Sequence, residues 1–146
     1  MLVDTGIGPS VPDMFGGGEG RLMTNLREAG IQPSQVTAVL NTHLHPDHVG
    51  WNMTNGDPTF PNARYYFSAR DYEHWTSGGV LANAPHIPTQ AQPLEDLGLL
   101  ELTSDGDEIA HGIKSLGTPG HTPGHQSFLI ESDGEKGIVT GDVIHS

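Results

Sequence analysis

Six consecutive positions of this chain hold four side chains that commonly bind metal ions. Residues 43–48 read His-Leu-His-Pro-Asp-His. Imidazole and carboxylate groups at this density would lose solvation and repel one another on protonation unless a cation joined them. A single His is more often a surface or core residue, but four ligands at this spacing favour a metal site. The cluster therefore predicts metal-dependent chemistry.

The segment before the cluster indicates where these ligands lie. Residues 36–40, Val-Thr-Ala-Val-Leu, form an apolar and β-branched run that is typical of a buried strand. Pro46 prevents the strand from continuing through the cluster. His43 and His45, at alternate positions of extended chain, would face one side, and the Asp-His pair after the proline can reach a second point nearby. We expect one pair to serve one metal ion and the next pair its neighbour.

Length and charge limit the classes of function. The 146 residues make a single domain, 1–146, and 18 acidic against 6 basic residues give a net charge of −12. Six basic side chains cannot build the positive face that nucleic acids or anionic membranes require. A small-molecule substrate is the partner that this composition predicts.

The absence of cysteine narrows the chemistry further. Disulfides, thiolate zinc sites and a Cys nucleophile are excluded. Imidazole and carboxylate ligands suit Zn, and also Mn, Fe or Co. The start of the sequence lacks the basic and apolar regions of a signal peptide, and no apolar run is long enough to cross a bilayer. We expect a cytoplasmic protein.

Twenty glycines and eleven prolines predict a loop-rich α/β chain. The motif Ser68-x-x-Asp71 predicts a capping box that opens a short helix. Residues 76–93 are expected to form a long loop, a candidate lid, and His86 within it is expected at the surface. The remaining predicted elements are a helix over 21–29, strands over 1–3, 36–40, 64–67, 126–130 and 137–140, one or two short strands within 108–116, and a hairpin turn at 133–134.

Further candidate ligands also follow predicted strands. Asp4 and Asp142 come directly after strand-like runs, and His121 lies in a second glycine- and proline-rich loop. If these strands are neighbours in one sheet, their ends converge at its edge, where α/β folds keep their ligand sites.

At these positions the chain resembles the metallo-β-lactamase-fold hydrolase superfamily. The matching segments are 4–6, 42–48, 120–125 and 141–142, and their order and spacing agree over nearly the whole chain. The resemblance implies an α/β fold that forms part of a four-layer αββα sandwich, a mixed sheet with the metal site at strand ends.

The resemblance also implies roles for individual residues. Asp4 would hold the ligand loop in place without binding the metal itself, and His125 would be structural rather than a ligand. Apart from the resemblance, we expect that in a metal hydrolase Asp47 orients the nucleophile and passes a proton to the leaving group, and that His145 helps to hold the substrate. The implied ligands are His43, His45 and His121 for a first metal, Asp47 and His48 for a second, and Asp142 as the bridge between them.

Within the superfamily, residues 118–127 and the H-P-D-H-V-G run look like the branch of N-acyl-homoserine lactonases and methyl-parathion-hydrolase-like enzymes. The implied function is a dinuclear zinc hydrolase of a small lactone or ester. Alternatives are a thioesterase of the hydroxyacylglutathione-hydrolase kind, a phosphotriesterase, an inactive metal-binding fragment and a metal-free interaction module. The lactonases have a tyrosine where this chain has His145.

Relatives of this kind also extend beyond both ends of the matched region. They supply one more His to the second metal from a segment that would follow Ser146, and a β-rich segment precedes their Asp-Thr-Gly motif. We therefore expect the chain to be the middle of a longer protein, with exposed strand edges through which it could form a homo-oligomer.

Overall fold

The computed structural model describes residues 1–10 and 17–144. The strands are β1 Leu2–Val3, β2 Ala38–Leu40, β3 Met53–Thr54, β4 Asp57–Pro58, β5 Arg64–Ser68, β6 Leu100–Thr103, β7 Glu108–Ala110, β8 Ile113–Gly117, β9 Gln126–Ser132 and β10 Glu135–Val139. The helices are α1 Leu22–Glu28, α2 Pro46–Val49, α3 Ala69–Thr76, α4 Gly78–Leu81, α5 Ile87–Gln90 and α6 Gln92–Asp96, with a 3-10 helix at Pro33–Gln35.

Two four-stranded sheets carry the architecture. The first has the order β1-β2-β5-β6 with parallel pairing throughout, and the second has the order β10-β9-β8-β7 with antiparallel pairing. Strands β3 and β4 form a separate two-stranded ribbon. The predicted α/β class is confirmed, with parallel and antiparallel pairings in different sheets.

The side chains of β2 point alternately to the two faces of the parallel sheet, and their contacts show which layer lies on each face. Val39 points into a large core with Tyr65 and Phe67 of β5 and with apolar side chains of the helices. Its neighbours Ala38 and Leu40 point to the opposite face, where they pack against Phe128 of β9. Since successive side chains of a strand face opposite sides, one short strand joins the helical layer to the sheet-on-sheet layer. The described residues thus stack as helices, parallel sheet and antiparallel sheet.

Most of the predicted elements are confirmed with small shifts of their ends. The turn at Asp133–Gly134 joins β9 to β10 with φ values of 50° and 83°, the left-handed geometry that a two-residue hairpin turn requires. The strand expected over 36–40 begins only at Ala38, because the 3-10 helix ends just before it.

The prediction of a long loop over residues 76–93 is wrong. This segment contains α4, α5 and the start of α6, and it buries Ala84, Ile87 and Ala91 in the core. Helices this short are marginal by themselves, so tertiary packing stabilises them.

The capping box predicted at Ser68 and Asp71 is also wrong, although α3 itself is confirmed. Within the described part of the chain, the Ser68 side chain makes no capping hydrogen bond. The Asp71 carboxylate turns into the protein and is fully buried. Two of its hydrogen-bond partners lie in distant loops, as described below.

No helix in the described ranges is both long and apolar enough to span a membrane.

Candidate metal centre

The site forms where elements of both sheets end together. The first ligand loop (residues 41–45) follows β2, and the second ligand loop (residues 118–125) joins β8 to β9. Asp4 follows β1 and Asp142 follows β10. These strand ends are not neighbours in one sheet, because β1 and β2 belong to the parallel sheet and β8, β9 and β10 to the antiparallel one. The ligands meet across the sandwich.

Three imidazoles form the first donor group, His43, His45 and His121. His43 Nε2 lies 2.9 Å from His45 Nδ1, which in turn lies 2.9 Å from His121 Nε2. One loop contributes two of these rings and the other loop contributes the third, so the group exists only when both loops are in place. Ring nitrogens that converge in this way are the donor set of a tetrahedral metal site with one position open.

Burial keeps the His43 and His45 rings neutral. His43 is 1% exposed, and burial, followed by the neighbouring imidazole His48, lowers its pKa from 6.5 to about 2. Burial and then the charge of His121 lower the pKa of His45. Neutral imidazole is the form that binds metal ions, so both rings are ready to donate lone pairs at neutral pH.

The second donor group consists of His43, His48 and Asp142. Asp142 Oδ2 lies 3.4 Å from His48 Nε2 and 3.6 Å from His121 Nε2, between the rings that belong to different groups. A carboxylate in that position can contact ions in both groups. Gly141, with φ of 55°, lets the backbone approach Thr42 and His125 so closely that a Cβ atom would collide with both.

Acidic neighbours control the protonation of His48. Burial lowers its pKa, but the hydrogen bond to Asp4 and the charges of Asp4, Asp47 and Asp142 outweigh burial, and the pKa is raised. His48 Nδ1 donates to Asp4 Oδ2 at 2.8 Å, which leaves Nε2 facing the other two carboxylates. The same negative charges that favour a proton on Nε2 would favour a metal ion there instead.

Asp4 orients a ligand of each donor group. Its carboxylate accepts hydrogen bonds from the Thr42 N–H at 2.8 Å and the Thr42 hydroxyl at 2.9 Å. Because that hydroxyl donates to Asp4, its lone pairs can accept from His43 Nδ1, which lies 3.0 Å away. The bond to His48 completes the arrangement, so Asp4 fixes the rings of His43 and His48 with their Nε2 atoms directed into the site.

Asp47 lies at the rim of the site. It belongs to neither donor group found among the described residues, its carboxylate is 53% exposed, and its Oδ2 is 3.8 Å from His48 Nε2. Its role as a ligand of the second metal stays a prediction. His145 lies outside the described residues, so its expected contact with substrate also stays a prediction.

Both ring nitrogens of His125 are engaged in the fold. Nδ1 pairs with the Thr118 hydroxyl at 2.9 Å, and Nε2 accepts from the Asp142 N–H at 3.1 Å. With no lone pair left for a metal ion, His125 acts on the site by placing the backbone of Asp142, in agreement with its expected structural role.

The sequence reasoning missed Asp71 and misplaced His86. Asp71 bonds to both ligand loops, and His86 is half-buried, with Nε2 2.8 Å from the Leu44 carbonyl oxygen. Proximity in sequence carried no signal for either contact, because each partner is at least 27 residues away.

The chain is similar to known proteins in sequence and in fold. The sequence profile of the Metallo-beta-lactamase superfamily matches residues 1–146. An N-acyl homoserine lactonase of Bacillus cereus is 30% identical over 122 residues, which cover 83% of this chain and 43% of the lactonase. The chain thus spans less than half the length of this relative.

Solved structures share the fold. The crystal structure of the hydrolase AbOPH, of the beta lactamase superfamily, matches 99% of this chain and 52% of its own with a TM-score of 0.83 and 32% identity. A quorum-quenching N-acyl homoserine lactone lactonase matches 90% of this chain and 51% of its own with a TM-score of 0.67 and 25% identity.

Proposed function

Because the chain belongs to the metallo-beta-lactamase superfamily, we propose that it functions as a metal-dependent hydrolase of small lactones or esters. The observation that carries the proposal is the convergence of three imidazoles from two loops, with their ring nitrogens 2.9 Å apart along the series. The matched N-acyl homoserine lactonases support an acyl-homoserine lactone as the substrate class. The net charge of −12 also favours uncharged substrates.

The donor chemistry fits zinc at both groups. Neutral imidazoles dominate the first group, and a carboxylate joins imidazoles in the second. Manganese, iron and cobalt accept the same ligands, so zinc is the proposed metal on ligand preference. Asp142, between His48 and His121, is proposed as the bridge, and Asp47 as a further ligand of the second ion.

When bound, divalent ions supply Lewis acidity, which activates water as a nucleophile and polarises the carbonyl group that is attacked. The residues of the chain do the rest. Asp4 keeps a proton on Nδ1 of His48, so that Nε2 can donate its lone pair. Asp47 is assigned the proton transfer to the leaving group, because its carboxylate is 53% exposed whereas that of Asp142 is 27% exposed. His145 is proposed to contact the substrate.

The first test combines metal analysis with hydrolysis of an N-acyl homoserine lactone by the purified protein, with His43→Ala as the variant. Because Nδ1 of His43 bonds to Thr42, only its Nε2 can bind an ion, so the loss of His43 should remove the first metal ion and abolish hydrolysis. The matched control is His111→Ala, an exposed His between β7 and β8. About two zinc ions per chain in the unmodified protein would agree with two occupied groups.

The result that contradicts the proposal is a folded protein that binds no divalent metal, or a His43→Ala variant with the metal content of the unmodified protein. A metal-loaded protein that cleaves a thioester or a phosphotriester, and no lactone, would support the proposed metal site and contradict the proposed substrate class.

A further inference from the structure

Asp71 is a buried carboxylate whose hydrogen bonds lead to both ligand loops. Its Oδ2 accepts from the Leu44 N–H at 2.9 Å and from Trp75 Nε1–H at 3.1 Å, and its Oδ1 accepts from the Gly124 N–H at 3.1 Å. The residue has no solvent exposure. A carboxylate is costly to bury unless its oxygens accept hydrogen bonds, so these three donors are what allow it to lie there.

The two backbone partners are distributed so that Asp71 acts on the metal ligands. Leu44 separates His43 from His45 in the first ligand loop. Gly124 follows His121 by three residues in the second ligand loop, and it lies so close to the start of α3 that a Cβ atom would collide with the Asp71 backbone. One carboxylate therefore sets the spacing between the loops that supply the three imidazoles.

His86 holds the other side of the Leu44 residue. Its Nε2 lies 2.8 Å from the Leu44 carbonyl oxygen, so this nitrogen carries the proton and donates. The Leu44 side chain is 1% exposed, which fixes it in the core as well. With the N–H bound to Asp71, the carbonyl bound to His86 and the side chain packed, Leu44 has little freedom to move the rings on either side of it.

We propose that Asp71, assisted by His86, is the positioning residue that holds the two ligand loops in register at the first donor group. The inference rests on the proposed function, since it concerns the metal site of that hydrolase. It differs from the role of Asp4, whose bonds go to Thr42 and His48. Partners that orient metal ligands typically change metal affinity by about 10- to 100-fold when they are removed.

The decisive variant is Asp71→Asn, which keeps the shape of the side chain. One oxygen becomes an NH₂ group, which cannot accept from an N–H and instead faces a backbone N–H of one loop. The probe is Co²⁺ added to metal-free protein, because its visible absorption reports the geometry of the ligands as well as the affinity. We expect Asp71→Asn to bind Co²⁺ about 10- to 100-fold more weakly, with an altered spectrum.

Two further variants complete the design. Asp107→Asn is the control, since Asp107 Oδ2 also accepts a backbone N–H, that of Ser104, but in the turn before β7. It should bind Co²⁺ like the unmodified protein. His86→Phe keeps a ring beside Trp75 and removes the hydrogen bond to Leu44, and it should alter the Co²⁺ spectrum in the same direction, with a smaller loss of affinity.

Urea unfolding of the metal-free variants separates positioning from simple stability. A folded Asp71→Asn variant with the affinity and spectrum of the unmodified protein overturns the inference, even if its unfolding midpoint is lower. If Asp71→Asn does not fold, His86→Phe decides, and an unchanged spectrum overturns the inference. An unmodified protein that binds no Co²⁺ overturns both this inference and the proposed metal site. Normal Co²⁺ binding without lactone hydrolysis contradicts only the proposed substrate.

Discussion

Acidification of the metal-free protein should destabilise it through His43. Burial and the neighbouring imidazoles lower the pKa of this ring from 6.5 to about 2. Below pH 6.5 His43 becomes protonated in the unfolded chain, whereas it stays neutral in the folded protein. The contribution of His43 to stability is therefore complete above its unfolded pKa and is lost as the pH falls below that value.

The size of the effect follows from the two pKa values. Between about pH 7.5 and pH 5.5, His43 in the unfolded chain changes from mostly neutral to mostly protonated, which costs the folded state about 1.4 kcal/mol. The lowered pKa values of His45, His86 and His125 act in the same direction. The raised pKa of His48 acts in the opposite direction, because its contribution is present below its unfolded pKa and is lost as the pH rises through the folded one.

A pair of variants isolates the His43 contribution. Urea unfolding is measured at both pH values for chelator-treated protein, for His43→Gln and for the exposed control His111→Gln. The loss of stability on acidification should be smaller in His43→Gln by about 1.4 kcal/mol and unchanged in the control. If His43→Gln lost as much stability as the unmodified protein, the reasoning that this ring is buried in its neutral form would be refuted.

Two other substitutions test contacts at the site. Asp4→Asn removes charge-assisted hydrogen bonds to Thr42 and His48, so we expect the free energy of unfolding to fall by about 2 kcal/mol and the metal content to fall as well. Urea unfolding and elemental analysis measure these two quantities. Normal values of both would contradict the role of Asp4. Gly50→Ala would place a Cβ atom against the Ile7 backbone, so we expect urea unfolding to show about 2 kcal/mol of destabilisation. An unchanged unfolding midpoint would show that the backbones of Gly50 and Ile7 are not in close contact.

The cluster of candidate donors over residues 43–48 and the hairpin turn could be recognised in the sequence because their signals are local. The cluster places four candidate donors within six consecutive residues, 43–48. The pair Asp133–Gly134 is by itself a signal for a two-residue hairpin turn. Burial of the run before the cluster was also predictable, since apolar β-branched residues indicate a strand on their own. These features need no knowledge of the rest of the protein.

Tertiary structure decided how those local signals were used. The motif at Ser68 and Asp71 is a capping box by spacing, yet the Asp71 carboxylate bonds to Leu44 and Gly124 instead, because burial makes those distant N–H groups its available donors. The segment 76–93 is rich in helix breakers, yet it folds into short helices because Ile87 and other apolar side chains find a core to pack against.

The assembly of the site itself is the clearest case. His43 and His45 come from a loop on the parallel sheet, whereas His121 and Asp142 come from loops on the antiparallel sheet. The sequence by itself determined which donors exist and that each follows a strand. Only the packing of the two sheets decided which donors meet, because that contact joins residues far apart in the sequence, such as His48 and Asp142, and is stabilised by side chains that carry no metal-binding signature.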